Sequence, residues 1–177
     1  EESKSIRKAF LPSNDYILSI DYSQVELRVL ASLAADETMI KYFESGQDVH
    51  LMTASAIFDM PKEMVTDSMR RQAKAVNFGI LYGISPYGLA EDIGITPKEA
   101  KKFIETYFET YPGIKDYMNN QIKEAYSDGY VKTIMNRKRT IEELSSSNYM
   151  QRSMGERMAL NTPIQGSSAD ILKKAMI

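Results

Sequence analysis

Apolar positions along this chain recur mostly at helical spacing, interrupted by short polar or glycine-containing breaks. In residues 24–35, Val25, Leu27, Val29, Leu30, Leu33 and Ala34 predict a helix. Residues 38–43 predict a short helix closed by Ser45-Gly46, and residues 48–58 predict another that ends at Asp59 with Pro61 beyond it. Thr66 is a suitable N-cap for a helix running to about Gly83. Ser85-Pro86-Tyr87-Gly88 opens a short helix ending at Gly94. Thr96-Pro97-Lys98-Glu99 combines a capping box with proline at the first helical position, and its helix runs to about Thr110. Tyr111-Pro112-Gly113 predicts a turn, and the next helix lasts until Asp128-Gly129. Two stretches break the helical pattern. Residues 16–20 form a short apolar, β-prone run that predicts a buried strand, which needs partner strands outside the chain. Residues 130–134 and 138–141 predict a β-hairpin around Asn136. Residues 145–148 predict a loop and N-cap, then a helix to about Thr162, an interruption at Pro163 and a last helix from near Ser167. The fold class is mainly α, of α+β type, with one strand and a small hairpin.

The helix after Thr66 carries two faces. Met69, Ala73, Val76 and Ile80 make an apolar stripe suited to a core. Arg70, Lys74, Phe78 and Tyr82 make a second stripe, reading cation, cation, aromatic, aromatic along about 18 Å of helix. A nucleoside triphosphate has that layout, with phosphates at one end and a sugar and flat base at the other. The cations also lie toward the positive end of the helix dipole. A solvated face or an interdomain contact would use the same residues. Against that, like charges at i and i+4 slightly destabilise a helix unless an anion joins them. Gly79 inside the helix carries a further local cost.

Composition changes this picture little. The chain has 177 residues, 43% hydrophobic and 26% charged, in the range of a folded domain. It has no cysteine, which excludes a disulfide framework and thiolate metal sites and fits a reducing compartment. No apolar run reaches membrane-spanning length, and the first residues lack a signal-peptide pattern. A net charge of −2 means that any nucleic-acid contact must come from a local basic patch. The chain starts at Glu1, and residues 171–177 end in an uncapped apolar pattern, so the sequence reads as a piece of a longer protein.

Other candidate residues are fewer. Asp21 ends the apolar run, where a carboxylate can hold a divalent metal or cap the next helix. Glu26 falls in that helix's first turns, where a carboxylate also complements the dipole. His50 is the only histidine, so a zinc site is not indicated, and a lone histidine on such a helix is more often structural than a ligand. No phosphate-binding P-loop and no serine-nucleophile elbow occurs. Arg137-Lys138-Arg139 forms a basic cluster at the hairpin, and Arg152, Arg157, Asn161 and Gln165 follow. These suit phosphate and base-edge contacts or, equally, a solvated face.

Three blocks in order carry a family likeness. Asp21-Tyr22-Ser23-Gln24-Val25-Glu26-Leu27-Arg28 resembles motif A of the family A DNA polymerases. Arg70-x-x-x-Lys74-x-x-x-Phe78-x-x-Tyr82-Gly83 resembles their motif B, the fingers O-helix. Residues 162–170, Thr-Pro-Ile-Gln-Gly-Ser-Ser-Ala-Asp, resemble the segment before motif C. The likeness extends over essentially the whole chain. It implies a fingers helical subdomain plus a fragment of the palm sheet. Residues 1–35 would be partial palm. Residues 36–144 would be fingers, with the O-helix at 67–83 and the hairpin at 130–141. Residues 145–177 would return to the palm.

The resemblance also implies roles. Asp21 would coordinate two Mg²⁺ ions, aided by the Tyr22 carbonyl. Tyr22, Gln24, Glu26, His50, Arg70, Lys74, Phe78 and Tyr82 would line the dNTP site. Asp21, Lys74 and Arg70 would carry the catalysis. Glu26, braced by Tyr82, would exclude a ribose 2′-hydroxyl. Phe78 would stack near sugar and base and go with discrimination against dideoxynucleotides. Arg157, Asn161 and Gln165 would contact primer-template DNA. The reaction would be template-directed nucleotidyl transfer by a DNA-directed DNA polymerase, in replication and repair. The parent would work as a monomer in the bacterial cytoplasm, with no membrane and no obligate protein partner. The family's second catalytic carboxylate lies in motif C, which this sequence does not reach. The 177-residue chain alone is therefore expected to be inactive and to bind Mg²⁺ weakly. A non-enzymatic helical nucleic-acid-binding module using residues 137–165 is the competing reading. A single-subunit RNA polymerase is a weaker one, opposed by Glu26.

Overall fold

Helices form where the 3.6-residue pattern puts them, because most starts carry a side chain that satisfies otherwise unpaired backbone N–H groups. The computed structural model describes residues 6–177, so residues 1–5 of the segment read as partial palm lie outside the described residues. The helices are α1 (Val25–Leu33), α2 (Glu37–Glu44), α3 (Val49–Ile57), α4 (Asp67–Leu81), α5 (Pro86–Ile93), α6 (Pro97–Thr110), α7 (Pro112–Asp128) and α8 (Tyr149–Ala175). Asp36, Asp48, Thr66, Ser85, Thr96 and Asn148 cap α2, α3, α4, α5, α6 and α8 through their side chains. At α6 the cap is reciprocal: Thr96 N–H donates to Glu99 Oε2 (2.9 Å) and Glu99 N–H donates to Thr96 Oγ1 (3.3 Å).

The main core joins α1, α3, α4 and α6. Leu27, Leu30, Met39, Val49, Val76, Leu81, Tyr107, Tyr111 and Ile164 are fully buried within it. Asp36 locks two helix starts together. Its Oδ1 accepts Met39 N–H (2.9 Å) and its Oδ2 accepts Gly113 N–H (3.0 Å), bringing the N-terminal ends of α2 and α7 together. Gly113 permits the approach, since a Cβ there would sit 3.0 Å from the Ala34 carbonyl oxygen.

Two sequence expectations need correction. Residues 16–20 form no strand; they run without hydrogen-bonded structure, with Tyr16, Leu18 and Ile20 exposed. β-propensity cannot make a strand without a ladder partner, and no such partner exists among the described residues. Their one sheet is the hairpin of β1 (Tyr130–Lys132) and β2 (Lys138–Thr140), paired Tyr130↔Thr140, Val131↔Arg139 and Lys132↔Lys138. Asn136 takes the left-handed conformation at its turn, as the hairpin reading requires. The second correction concerns Pro163, which interrupts nothing: α8 runs through it for 27 residues. A proline inside a helix costs about 3 kcal/mol. Here Ala159, Leu160, Pro163 and Ile164 are all buried, and their packing offsets that loss.

The hairpin rests on α8 at Gly166. A Cβ on Gly166 would come within 2.5 Å of Thr133 Cγ2. Around it Ser167 Oγ accepts Ile134 N–H (3.0 Å), and Arg137 reaches Asp170 Oδ1 (2.7 Å) and the Gly166 carbonyl (3.0 Å). Gly166→Ala is therefore expected to destabilise the chain by about 1–3 kcal/mol through overpacking. Thr133→Ser in the same background removes the clashing methyl but keeps the hydroxyl that accepts Arg137 N–H, and should restore most of the loss. Thermal unfolding of the parent, the single and the double variant checks this.

Candidate nucleotide-binding face

α4 is rolled so that Ala73, Val76, Asn77, Ile80 and Leu81 are buried. Arg70, Lys74, Phe78 and Tyr82 consequently point away from the core, and each retains solvent exposure. Met69, expected on the core stripe, is only half-buried, because the first turn of α4 extends past the packed region.

The N-terminal half of this face meets the start of α3. Arg70 Nε donates to Asp48 Oδ2 at 2.7 Å. The other oxygen of Asp48 accepts the N–H groups of His50 (2.9 Å) and Leu51 (3.2 Å). One carboxylate thus caps α3 and orients the Arg70 guanidinium. Partial burial pushes the Asp48 carboxyl up, but Arg70 and the two backbone N–H groups outweigh it and hold it below its ordinary value. His50 is buried beside them, its ring centroid 5.9 Å from that of Phe78. Lys74 Nζ lies 5.9 Å from the Phe78 centroid, at the outer limit of a cation–π contact.

At the other end Tyr82 ends α4 and ties three segments together. Its hydroxyl donates to Glu26 Oε2 on α1 (3.0 Å) and accepts from Gln165 Nε2 on α8 (3.3 Å). Partial burial raises the Tyr82 hydroxyl, Gln165 lowers it and Glu26 raises it, with a net rise that keeps it protonated as a donor. Beside it, Gly83 adopts a φ of +66°, and a Cβ there would sit 3.0 Å from Arg157 Cγ. Arg157, Asn161 and Gln165 are four residues apart, so one face of α8 carries all three toward this end of α4. Asn161 Oδ1 is buried with no hydrogen-bond partner.

Motif A residues are placed unequally. Glu26 joins the α4 face through Tyr82. Asp21 and Tyr22 precede α1 and are exposed, and neither makes a side-chain hydrogen bond or ion pair among the described residues. Asp21 does not cap α1, because the N-cap position falls on Gln24. Gln24 adopts a left-handed conformation (φ 54°, ψ 37°) and buries an unpartnered Oε1. That is costly for a residue with a side chain and recurs at functional sites. The Asp21 carboxylate and the Tyr22 carbonyl are hard oxygen donors suited to Mg²⁺, but they are fewer than such an ion takes. Among the described residues no three His, Asp or Glu side chains cluster to complete a set.

The basic cluster is largely engaged internally. Arg137 is paired with Asp170, and Arg139 Nη1 donates to Thr162 Oγ1 (3.1 Å). Arg152 donates to the carbonyls of Ser146 and Ser147 (both 2.9 Å). Sequence reasoning missed Asp48 and Asn77. Asn77 left a signal: it is an amide at a core-facing register of α4, one turn after Ala73.

The family described as DNA polymerase family A matches residues 1–177. This chain belongs to the family A DNA polymerases. It is 55% identical to DNA polymerase I of Geobacillus stearothermophilus over 179 aligned positions, covering all of this chain and 20% of that protein. It is 56% identical to DNA polymerase I of Lactococcus lactis subsp. cremoris over the same shares. The chain thus spans about a fifth of the length of the curated relatives it matches. A solved family member, described as the POL domain of Pol1 from M. smegmatis in complex with DNA primer-template and dNTP, superposes with a TM-score of 0.84 at 46% identity. It covers 88% of this chain, which spans 28% of that one.

In this family A chain, Asp48→Asn should separate the cap from the charge, since asparagine caps as well as aspartate but cannot pair with Arg70. The pair is partly exposed, so the expected loss near neutral pH is under about 1 kcal/mol. The Asp48 carboxyl is depressed in the folded chain, so its contribution is present above the ordinary value of 3.8 and lost as pH falls through the folded value. The gap between parent and variant should therefore close on acidification. Denaturant unfolding at a series of pH values reads it, and a gap constant with pH would contradict the assignment.

Proposed function

We propose that the protein carrying this chain extends a DNA primer by template-directed transfer of nucleotidyl groups from dNTPs, with α4 as the face that receives the nucleotide. The observation that carries this reading is the arrangement along α4. Two cations and His50 gather at its N-terminal half, an aromatic ring follows, and a carboxylate-bearing clamp closes its C-terminal end. Arg70 and Lys74 hold the triphosphate, and His50 donates to it. Phe78 lies against the sugar and base. Glu26, fixed by the Tyr82 hydroxyl, closes the space beside the sugar C2′, so a ribose hydroxyl meets a held carboxylate. Gln165, tied to the same hydroxyl, faces the nascent pair with Arg157 and Asn161. Asp21 and the Tyr22 carbonyl, with Gln24 turning the chain behind them, form one edge of a Mg²⁺ site. When bound, two such ions lower the cost of in-line attack on the α-phosphate. Residues 1–35 belong to the palm, 36–144 to the fingers, and 145–177 lead back to the palm. The bacterial relatives favour a cytoplasmic setting, and no helix among the described residues is long and apolar enough to cross a membrane. The dNTP and primer-template named for the M. smegmatis structure support these substrates.

The test is Lys74→Ala in the whole enzyme. Lys74 is exposed and buries no packing surface, so folding should be unchanged. The kcat/KM for dNTP incorporation should fall by roughly 10²–10³, the scale for removing one preorganised charge from a transition state. Primer extension under single-turnover conditions measures it, and unchanged kinetics would remove the phosphate role.

A further inference from the structure

Asn77 is fully buried, yet every polar atom of its side chain has a neighbour with defined chemistry. One amide atom lies 2.9 Å from the Ala73 carbonyl oxygen, an obligate acceptor, so that atom must be Nδ2. The same Nδ2 lies 3.2 Å from His50 Nδ1. A group that only donates therefore faces the ring nitrogen, and Nδ1 must be the unprotonated acceptor. The amide cannot turn over to suit a protonated Nδ1, because Oδ1 would then oppose the Ala73 carbonyl. On its other side Oδ1 lies 3.3 Å from Thr53 Oγ1. Thr53 has a single hydroxyl proton, shared between the Val49 carbonyl (2.8 Å) and Asn77 Oδ1, and its oxygen sits 3.0 Å from the Tyr111 hydroxyl. Because that proton is engaged, the Tyr111 hydroxyl is the donor between the two, and burial pushes its pKa up. The chain from Tyr111 through Thr53 to Asn77 thus fixes the amide from behind.

We propose that Asn77 is a positioning residue that sets the His50 tautomer, holding a neutral imidazole whose Nε2–H donates to the triphosphate of the incoming nucleotide. This rests on the nucleotide site proposed above. Nε2 makes no hydrogen bond among the described residues, so it is the nitrogen left to serve a ligand. The charged groups around the ring are Asp48 on its own helix and Arg70 and Lys74 on α4. Burial pushes the imidazole down, Asp48 pushes it up, and the two cations push it down again, for a net value below the ordinary 6.5. With Asn77 Nδ2–H set against Nδ1, the site gains a hydrogen-bond donor that adds no charge of its own beside two cations.

The test uses the whole enzyme with ¹⁵N-imidazole-labelled histidine, the His50 signals being assigned by their loss in His50→Ala. In the parent, Nδ1 should resonate as a bare acceptor and Nε2 as protonated, across about pH 6–8, inside the span where ordinary histidines titrate. An Nδ1–H form or an imidazolium at neutral pH overturns the assignment whatever nucleotide binding does. In Asn77→Asp the side chain gives up its bond to the Ala73 carbonyl, and the new carboxylate accepts from Nδ1–H, which turns a bare Nε2 toward the phosphate once the ring is neutral. The Kd for dNTP on a primer-template should then weaken about tenfold as pH rises through that span, the scale of one hydrogen bond to a charged group. The parent should stay flat. A loss of equal size at every pH means a structural role only and overturns the proposal. If Asn77→Asp does not fold, Asn77→Ala replaces it, with mixed His50 tautomers expected and a single Nε2–H form overturning. Unchanged dNTP affinity in His50→Ala, with the tautomer as expected, overturns instead the nucleotide site on which the donor role rests.

Discussion

Rolling α4 by one residue would swing its side chains through about 100°. The four residues that could meet a nucleotide would then turn into the protein or into empty solvent. The roll of this helix is the constraint on which the candidate site depends, and the core sets it. Ala73, Val76 and Ile80 pack in one core with the buried faces of α1, α3 and α6, where Leu27, Val49 and Tyr107 are fully buried. Two small residues on α4 matter as much. Ala73 lets α3 approach, and Gly79 faces Ile84, whose Cγ2 lies 2.8 Å from where a Cβ would stand. The glycine that looks costly in the sequence is the point where the chain after α4 folds back onto it, through Ile84 N–H to the Gly79 carbonyl (2.8 Å).

Electrostatics completes what packing begins. Arg70 and Lys74 are one turn apart on α4, and a helix alone would be slightly weakened by them. Asp48 answers only the first, while Lys74 lies over the Phe78 ring at 5.9 Å from its centroid, with no carboxylate paired to it among the described residues. The N-terminal half of the face therefore carries more positive charge than its one carboxylate, Asp48, neutralises. His50 packs beside the Phe78 ring, with centroids 5.9 Å apart. A polyanion is the ligand class this arrangement favours, and the helix dipole adds to the preference at the same end.

The sequence is legible where local chemistry decides the structure and opaque where distant residues do. Thr66, Thr96 and Asn148 mark helix starts because a cap is a contact between near neighbours. The two faces of α4 are readable for the same reason, since periodicity belongs to the helix itself. Residues 16–20 mislead because a strand is defined by its partner. Pro163 misleads because tertiary packing of its buried neighbours outweighs a local penalty. The basic cluster near the hairpin reads as nucleic-acid-facing or, equally, as a solvated face, but Asp170, 33 residues from Arg137 in sequence, takes up its first member. Tyr82 is read as bracing Glu26 from the family likeness, and the hydrogen bond is there, across 56 residues. Its further link to Gln165 spans 83 residues, which no local pattern could signal.

The two ends of α4 are held by different kinds of bond, and the difference bears on how a ligand would be received. At the N-terminal end, the Asp48 carboxylate binds Arg70 in a half-exposed site. An arriving phosphate competes for that guanidinium directly, and since Asp48 also caps α3, it keeps two N–H partners when the arginine turns away. The exchange leaves no buried charge stranded, so it costs little. At the C-terminal end, Tyr82 joins α1 and α8 through a neutral hydroxyl with no cation in the link. A phosphate gains nothing by disturbing it. The charged end can thus yield to its ligand while the sugar end keeps its shape. On the proposed reading, with a nucleotide received along α4, that division gives adaptable charge at the phosphates and a fixed wall at the sugar.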